Sequence, residues 1–316
     1  MENIITQSRP IGKTKIETPL LVPSFSSVCD RKIGEIHTNL IGHIPDCSLV
    51  SAYDIAYKYI DSQKIWASDL VYIDCGNYEY QSLKTCKDGR NWSRTQHYRV
   101  LDGLKALSEV VIVNFDEADS FEEQIKKAAM LFREYPSYTS CFLCKPFSKF
   151  SSYIDLQILI QNLANLESID IIAFTEKELG NSLLERAKKV FNIRQALNAI
   201  GMNKPIHIFG CLDPLAIITL FLCGADIFDG TNWLKFAFYD NLTLYTNDYA
   251  IFSWNWSETD LTVRNSSYVF NLSKLTTLSQ NMRQYSKIGK LEEFEISYHI
   301  QKQISDLVNT AQSRSR

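Results

Sequence analysis

The chain has 316 residues, 45% of them hydrophobic and 12% aromatic, enough for one large core or two ordinary ones. Its 33 Lys and Arg face 36 Asp and Glu, so a uniformly basic nucleic-acid or membrane coat is excluded and any basic surface has to be local. With no apolar leader in MENIITQSRPIGKTKIE and no run of about 18 apolar residues, we expect a cytoplasmic chain with reduced thiols and no membrane insertion.

Short β-branched and aromatic runs recur at intervals wide enough to hold a helix. They fall at 20–24 (LLVPS), 48–51 (SLVS), 70–73 (LVYI), 110–115 (VVIVNF), 141–144 (CFLC), 169–174 (IDIIAF), 206–209 (IHIF) and 225–228 (ADIF). Near-continuous apolar strands suit a parallel sheet buried on both faces. Amphipathic spacing predicts helices over 120–135, 151–166, 181–201 and 213–224. The last two end at Gly201 and Gly224, the residue type favoured just past a helix C-terminus. Eight strands alternating with helices predict an α/β fold, a (β/α)8 TIM barrel over about 14–240, with a doubly wound open sheet as the alternative. Past residue 234 the alternation stops. Residues 236–260 are aromatic and strand-like, suiting a short antiparallel appendage, and periodic segments at 273–286 and 290–310 predict C-terminal helices. Lacking a repeat or a linker, 1–316 reads as a single domain, with 241–316 as its C-terminal appendage.

In a TIM barrel the chemistry gathers where strands end and βα loops begin. Here the third strand runs into IDCGNY with Asp74, the fourth into NFDEAD with Asp116 and Glu117, the fifth into CKPF with Lys145, and the eighth into FDG with Asp229. A single strand-end Asp is commonly a helix cap. Three brought to one barrel mouth repel, so at least one should hold its proton to higher pH while another stays ionised. Chemistry at the anomeric carbon of a sugar needs such a set, one carboxylate to attack and one to move the leaving group's proton.

Four segments in this order resemble the tRNA-guanine transglycosylase superfamily. KIETPLLVPSFSSV is similar to its opening strand, IDCGNYEYQ to its D-S-G-G-Y-Q motif, VNFDEAD to its F-D-E-C segment, and HIFGCLDPLAIITLFLCGADIFDGTNWLKFAFYD to its G-x-x-x-P…G-x-D-x-F-D stretch. The resemblance implies a (β/α)8 barrel that exchanges guanine in a nucleic acid for a 7-deazaguanine base, with no cofactor. It implies that Asp229 attacks the sugar C1′, that Asp74 is the general acid and base for the departing and arriving bases, and that Asp116 accepts hydrogen bonds from the guanine edge. Tyr78 then takes the position of the aromatic residue stacked on the base, with Phe209 opposite in place of a Met; core packing is the alternative for both rings. The bottom-up chemistry agrees, since a carboxylate accepts two N–H donors of guanine in a way adenine does not offer.

The chain also departs from that pattern. No Cys follows Cys223, so the family's zinc module has no ligands here and no metal is expected; CFLC has C-x2-C spacing but lies in a predicted strand with no second pair. Lys145 stands where the family has a base-contacting Gln, and it is open to three roles: donor to the base O6, phosphate ligand, or salt-bridge partner of a mouth carboxylate. TEKELG replaces the Gly-Gly-Leu loop and makes Glu176 a candidate contact for the incoming base. With the sequence ending at residue 316 we expect no C-terminal RNA-binding domain like those of the archaeosine enzymes, and with the zinc gone DNA becomes the expected polymer, tRNA the alternative. Accessory proteins, or a non-catalytic binding role, remain further alternatives. A candidate grip lies at KTCKDGRNWSRTQHYR, where Lys84, Lys87, Arg90, Arg94 and Arg99 face Asp88 alone and Trp92 is expected as a wedge beside an extruded base; a solvated loop is the bland alternative.

Overall fold

The computed structural model describes residues 5–83 and 90–313. Eight parallel strands close into a barrel in chain order: β1 (Leu20–Phe25), β2 (Cys47–Ser51), β3 (Leu70–Asp74), β4 (Glu109–Val113), β5 (Thr139–Cys144), β6 (Ile171–Thr175), β7 (Ile206–Phe209) and β8 (Ile227–Gly230). Closure comes from β1 against β8, where Leu20 lies opposite Ile227 and Val22 opposite Asp229. The expected barrel is therefore found, and the open sheet is set aside.

Helices fill the crossovers: α1 (Ile33–Asn39), α2 (Ala52–Ala56), α3 (Asn77–Leu83), α4 (Arg94–Gly103), α5 (Phe121–Glu134), α6 (Leu156–Asn162), α7 (Leu183–Ala199) and α8 (Pro214–Leu222). Their starts are written locally. Ser120, Asp155, Ser182 and Asp213 each accept a hydrogen bond from a backbone N–H in the first turn of the helix that follows, and Pro214 supplies the fixed φ suited to that turn.

Side chains alternate along every strand, and that period of two builds two apolar layers. Leu20, Val22, Leu70, Tyr72, Val111, Val113, Cys141, Leu143, Ile171, Ala173 and Ile227 fill the barrel interior. Their neighbours Leu21, Val71, Ile73, Ile112, Phe142, Cys144, Ile172, Ile208 and Phe228 belong to the larger core between barrel and helices. Cys141 and Cys144 thus lie in different layers, on opposite faces of β5, and cannot share an ion. At the start of β8, buried Asp226 joins Arg9 and Arg194, each 2.5 Å away, and accepts the Ile206 N–H at 2.7 Å.

Beyond β8 come α9 (Asn232–Lys235), β9 (Ala237–Tyr239), β10 (Leu242–Leu244), α10 (Thr246–Phe252), α11 (Asp260–Ile288) and α12 (Tyr298–Gln312). The antiparallel appendage is present as the β9–β10 pair, but it is shorter than expected. Residues 246–252 are helical because Tyr249 turns inward beside Ala237 and Val263. Helix α11 begins at Asp260, capped by Thr259, well before residue 273. Its anchor is Asn271: the buried amide accepts from Phe238 N–H and donates to the carbonyls of Trp233 and Phe236, each at 2.7 Å. Among the described residues, no helix is long and apolar enough to cross a membrane.

Candidate active site

A cavity of about 880 Å³ opens at the C-terminal ends of the strands. Strand parity explains its lining. Continuing the inward-facing positions of each strand by two leads to Ser24 on β1, Asp74 on β3, Lys145 after β5, Thr175 on β6, Phe209 on β7 and Asp229 on β8, and all six line the cavity. Asp116, Tyr78 and Glu176 line it as well.

Asp229 is 4% exposed and held on both oxygens. Ser24 Oγ donates to Oδ2 at 2.8 Å, and the Gly210 N–H to Oδ1 at 3.3 Å. Gly210 has φ +75, backbone that a glycine adopts without strain, and this turn aims its N–H at the carboxylate. Asp74 accepts the Gly76 N–H at 3.1 Å. Burial, then the charge of Asp116 and then that of Asp229 push its carboxyl up to about 7, against hydrogen bonds from Gly76 and Cys75. Gly76 is required here: its φ is +82, and a Cβ would meet the Tyr53 backbone nitrogen at 2.6 Å.

Asp116 is held between a thiol and an ammonium. Cys75 Sγ donates to Oδ1 at 2.9 Å, and Lys145 Nζ lies 3.6 Å from Oδ2. Lys145 makes its shorter contact with Glu178, at 2.6 Å. Burial works against the ammonium, but Asp116 and Glu178 outweigh it and raise Lys145 above the ordinary lysine value. Of its three expected roles the structure contains the salt bridge, placed inside the cavity. Glu176 lines the cavity but is paired with Arg186 at 2.5 Å, so the glutamate that reaches Lys145 is its neighbour two residues on. Tyr78 is 49% exposed on α3 and Phe209 is 8% exposed at the end of β7. Tyr78 is thus not a core aromatic.

Within the described part of the segment 84–99, residues 90–99, Trp92 differs from the expectation. Lys84 and Lys87 lie outside the described residues. Trp92, expected as a wedge, is only 6% exposed; its indole N–H donates to the Cys75 carbonyl at 2.8 Å and its ring meets Tyr53 edge-on at 5.4 Å. It is a core side chain that holds the Asp74 loop, because an indole with a carbonyl in reach satisfies its one donor inside the fold. Arg90 sits over the rings of Tyr57 and Tyr59, and Arg94 pairs with Glu117 at 2.5 Å. Arg99 is exposed on α4. None of these four described residues lines the cavity.

Three contributors were not read from the sequence. His207, fully buried, places Nε2 3.2 Å from Asp229 Oδ1, although neither ring nitrogen completes a hydrogen bond among the described residues. Its ring lies on Phe209, 4.1 Å between centroids. The signal was available: a His stands in an apolar strand with the parity of Phe209. Glu79 lines the cavity, accepts from Ser26 Oγ at 2.5 Å and has no partner for Oε2 among the described residues. Burial, then Asp54 and Asp74, raise its carboxyl well above the usual range. Glu79 lies on a short helix and Glu178 in a 3-10 turn, where periodicity points nowhere.

The fold and the site together define a parallel eight-stranded α/β barrel with a carboxylate-lined cavity at the catalytic end of the barrel class. Compared with known proteins, the chain matches no family model and no curated protein.

Proposed function

We propose that the chain is a guanine transglycosylase that exchanges guanine in DNA for a 7-deazaguanine such as 7-cyano-7-deazaguanine. The observation that carries this reading is that Asp229 and Asp74 line one cavity with different surroundings. Asp229 is buried and hydrogen-bonded on both oxygens, while Asp74 keeps its proton up to about pH 7. An Asp229 oxygen attacks C1′ as the bond from C1′ to the base nitrogen breaks, and Asp74 gives its proton to the departing guanine. In the second half the incoming base attacks C1′, its ring N–H proton returns to Asp74, and Asp229 leaves as the free carboxylate.

The base edge supports the choice of guanine. Asp116 offers acceptors and Lys145 a donor 3.6 Å apart, the complement of the guanine N1–H and 2-amino donors beside O6. Adenine presents the reverse order. The choice of DNA rests on the sequence, where the stretch after Asp229 carries none of the thiols of the tRNA enzymes' zinc module.

Labelled guanine and labelled 7-cyano-7-deazaguanine, offered with DNA and in parallel with bulk tRNA, test the proposal. Wild-type protein should transfer label to DNA and Asp229→Ala should transfer none. Label in tRNA alone would move the activity to that polymer. Label in neither would sink the exchange reading.

A further inference from the structure

The rim of the cavity carries charge that the base chemistry does not use. Its acids are already neutralised: Glu117 is met by Arg94 at 2.5 Å and Lys127 at 3.6 Å, Asp119 by Lys127 at 2.7 Å, and Glu176 by Arg186 at 2.5 Å. Three further lysines, Lys149, Lys177 and Lys235, also line the cavity, and all three are exposed. None makes an ion pair among the described residues. They stand on the connections that follow β5, β6 and β8, Lys177 in a 3-10 turn and Lys235 at the end of α9, so one side of the mouth carries lysines without an ion-pair partner among the described residues, above a floor of carboxylates.

Beside the first of these lysines is an aromatic side chain that packing does not explain. Lys149 and Phe150 are the two central residues of a turn closed by the Ser151 N–H on the Ser148 carbonyl at 3.0 Å. The turn is further fixed by the Phe150 N–H on Ser148 Oγ at 3.2 Å, and Phe150 is 100% exposed. A benzyl group held wholly in water at a turn apex contributes nothing to folding, whereas beside a cation it suits a ligand that joins phosphates to flat rings.

We propose that this rim is the seat of a polynucleotide strand. Lys149, Lys177 and Lys235 take phosphates flanking the nucleotide whose base enters the cavity, and Phe150 stacks on the base next to it. The register of the strand rests on the guanine-exchange reading, but the contact itself does not. This grip lies on the connections of the second half of the barrel, apart from the described residues 90–99. Extrusion of the target base then leaves a gap in the stack that a ring at a turn apex can fill.

The test uses the full chain, a short labelled single-stranded DNA, an RNA of the same sequence, and free guanine. Fluorescence anisotropy over a salt series reads oligonucleotide affinity, and equilibrium dialysis reads guanine. In the triple variant Lys149→Ala, Lys177→Ala, Lys235→Ala, the slope of log affinity against log salt should fall by about 2, since each single-strand phosphate contact contributes about 0.7. Guanine binding should be unchanged. Phe150→Ala should weaken oligonucleotide binding about tenfold with the slope kept. An unchanged slope in the triple variant overturns the proposal, as does a wild type that binds guanine but neither polymer. Lysine-dependent oligonucleotide binding without guanine binding supports the rim and removes the exchange reading instead. The polymer that binds in the lysine-dependent manner, DNA or RNA, is the one the rim serves.

Discussion

Asp74 joins chemistry to stability at a single residue. Its carboxyl titrates at about 7 in the fold, whereas an unfolded aspartate titrates near ~4. Between those values the folded chain holds a proton that the unfolded chain has released, so stability falls as pH rises through that window and the loss is complete above it. Asp74→Asn removes the effect. We expect the variant to be inactive yet more stable than wild type by on the order of 1–3 kcal/mol at about pH 8, with the gain vanishing toward about pH 4. Urea unfolding at several pH values checks this, and a gain independent of pH would refute it. If the proposed exchange holds, release of guanine should slow above about pH 7, where Asp74 no longer carries a proton to donate. Lys145→Met should raise the KM for guanine about tenfold or more, the worth of one base-edge hydrogen-bond pair, and leaves Glu178 without its ammonium. A steady-state comparison with unchanged KM would remove Lys145 from the base edge.

At the scale of elements, the connection from β3 into α3 carries the most constraint. Asp74 ends the strand, Cys75 holds Asp116 through its thiol and Trp92 through its carbonyl, Gly76 makes the turn, and Tyr78 stands at the mouth. Gly76→Ala meets both a positive φ and the backbone of Tyr53, so it should cost roughly 2 kcal/mol or more and lower exchange further than the stability loss explains. Thermal unfolding beside the exchange rate separates the two effects; a variant as stable and active as wild type would show that the turn relaxes. The same element shows where local reading ends. The strand was readable from LVYI and its final Asp, whereas burial of Trp92 depends on a carbonyl 17 positions away. Helix α11 was partly hidden for a related reason, because DLTVRNSSYVF has weak helix propensity and Asn271 becomes useful only against β9.

On the scale of the whole molecule, the two ends of the barrel divide the work. The end where strands begin is locked by Asp226 between Arg9 and Arg194, drawn from the N-terminal segment and from α7. Burial lowers Arg194 to about 10, and Asp226 is the buried carboxylate that both guanidiniums share beside their bonds to backbone carbonyls. Asp226→Asn leaves two buried cations sharing a neutral amide and should destabilise the fold by about 3–5 kcal/mol, read as a shift in the urea midpoint. A shift below about 1 kcal/mol would mean that the lock is dispensable. The opposite end carries the cavity, the tuned carboxylates and the uncompensated lysines, which is where a barrel can vary its loops without touching that lock.

By itself the sequence determined the number and order of the barrel strands and the acids at their ends. The strands follow from short apolar runs spaced widely enough to hold a helix, and once the barrel closes a period of two carries Asp74, Lys145 and Asp229 inward along with the strands that bear them. Only the tertiary structure decided which partner each of them meets. Glu178 rather than Glu176 reaches Lys145, His207 lies under Asp229, Trp92 turns into the core, and Arg94 is taken by Glu117 while Lys149, Lys177 and Lys235 are left at the rim. The reason is physical: loop side chains of similar reach and charge compete for the same partners, and closure of the barrel, not the local pattern, sets which of them come within 4 Å.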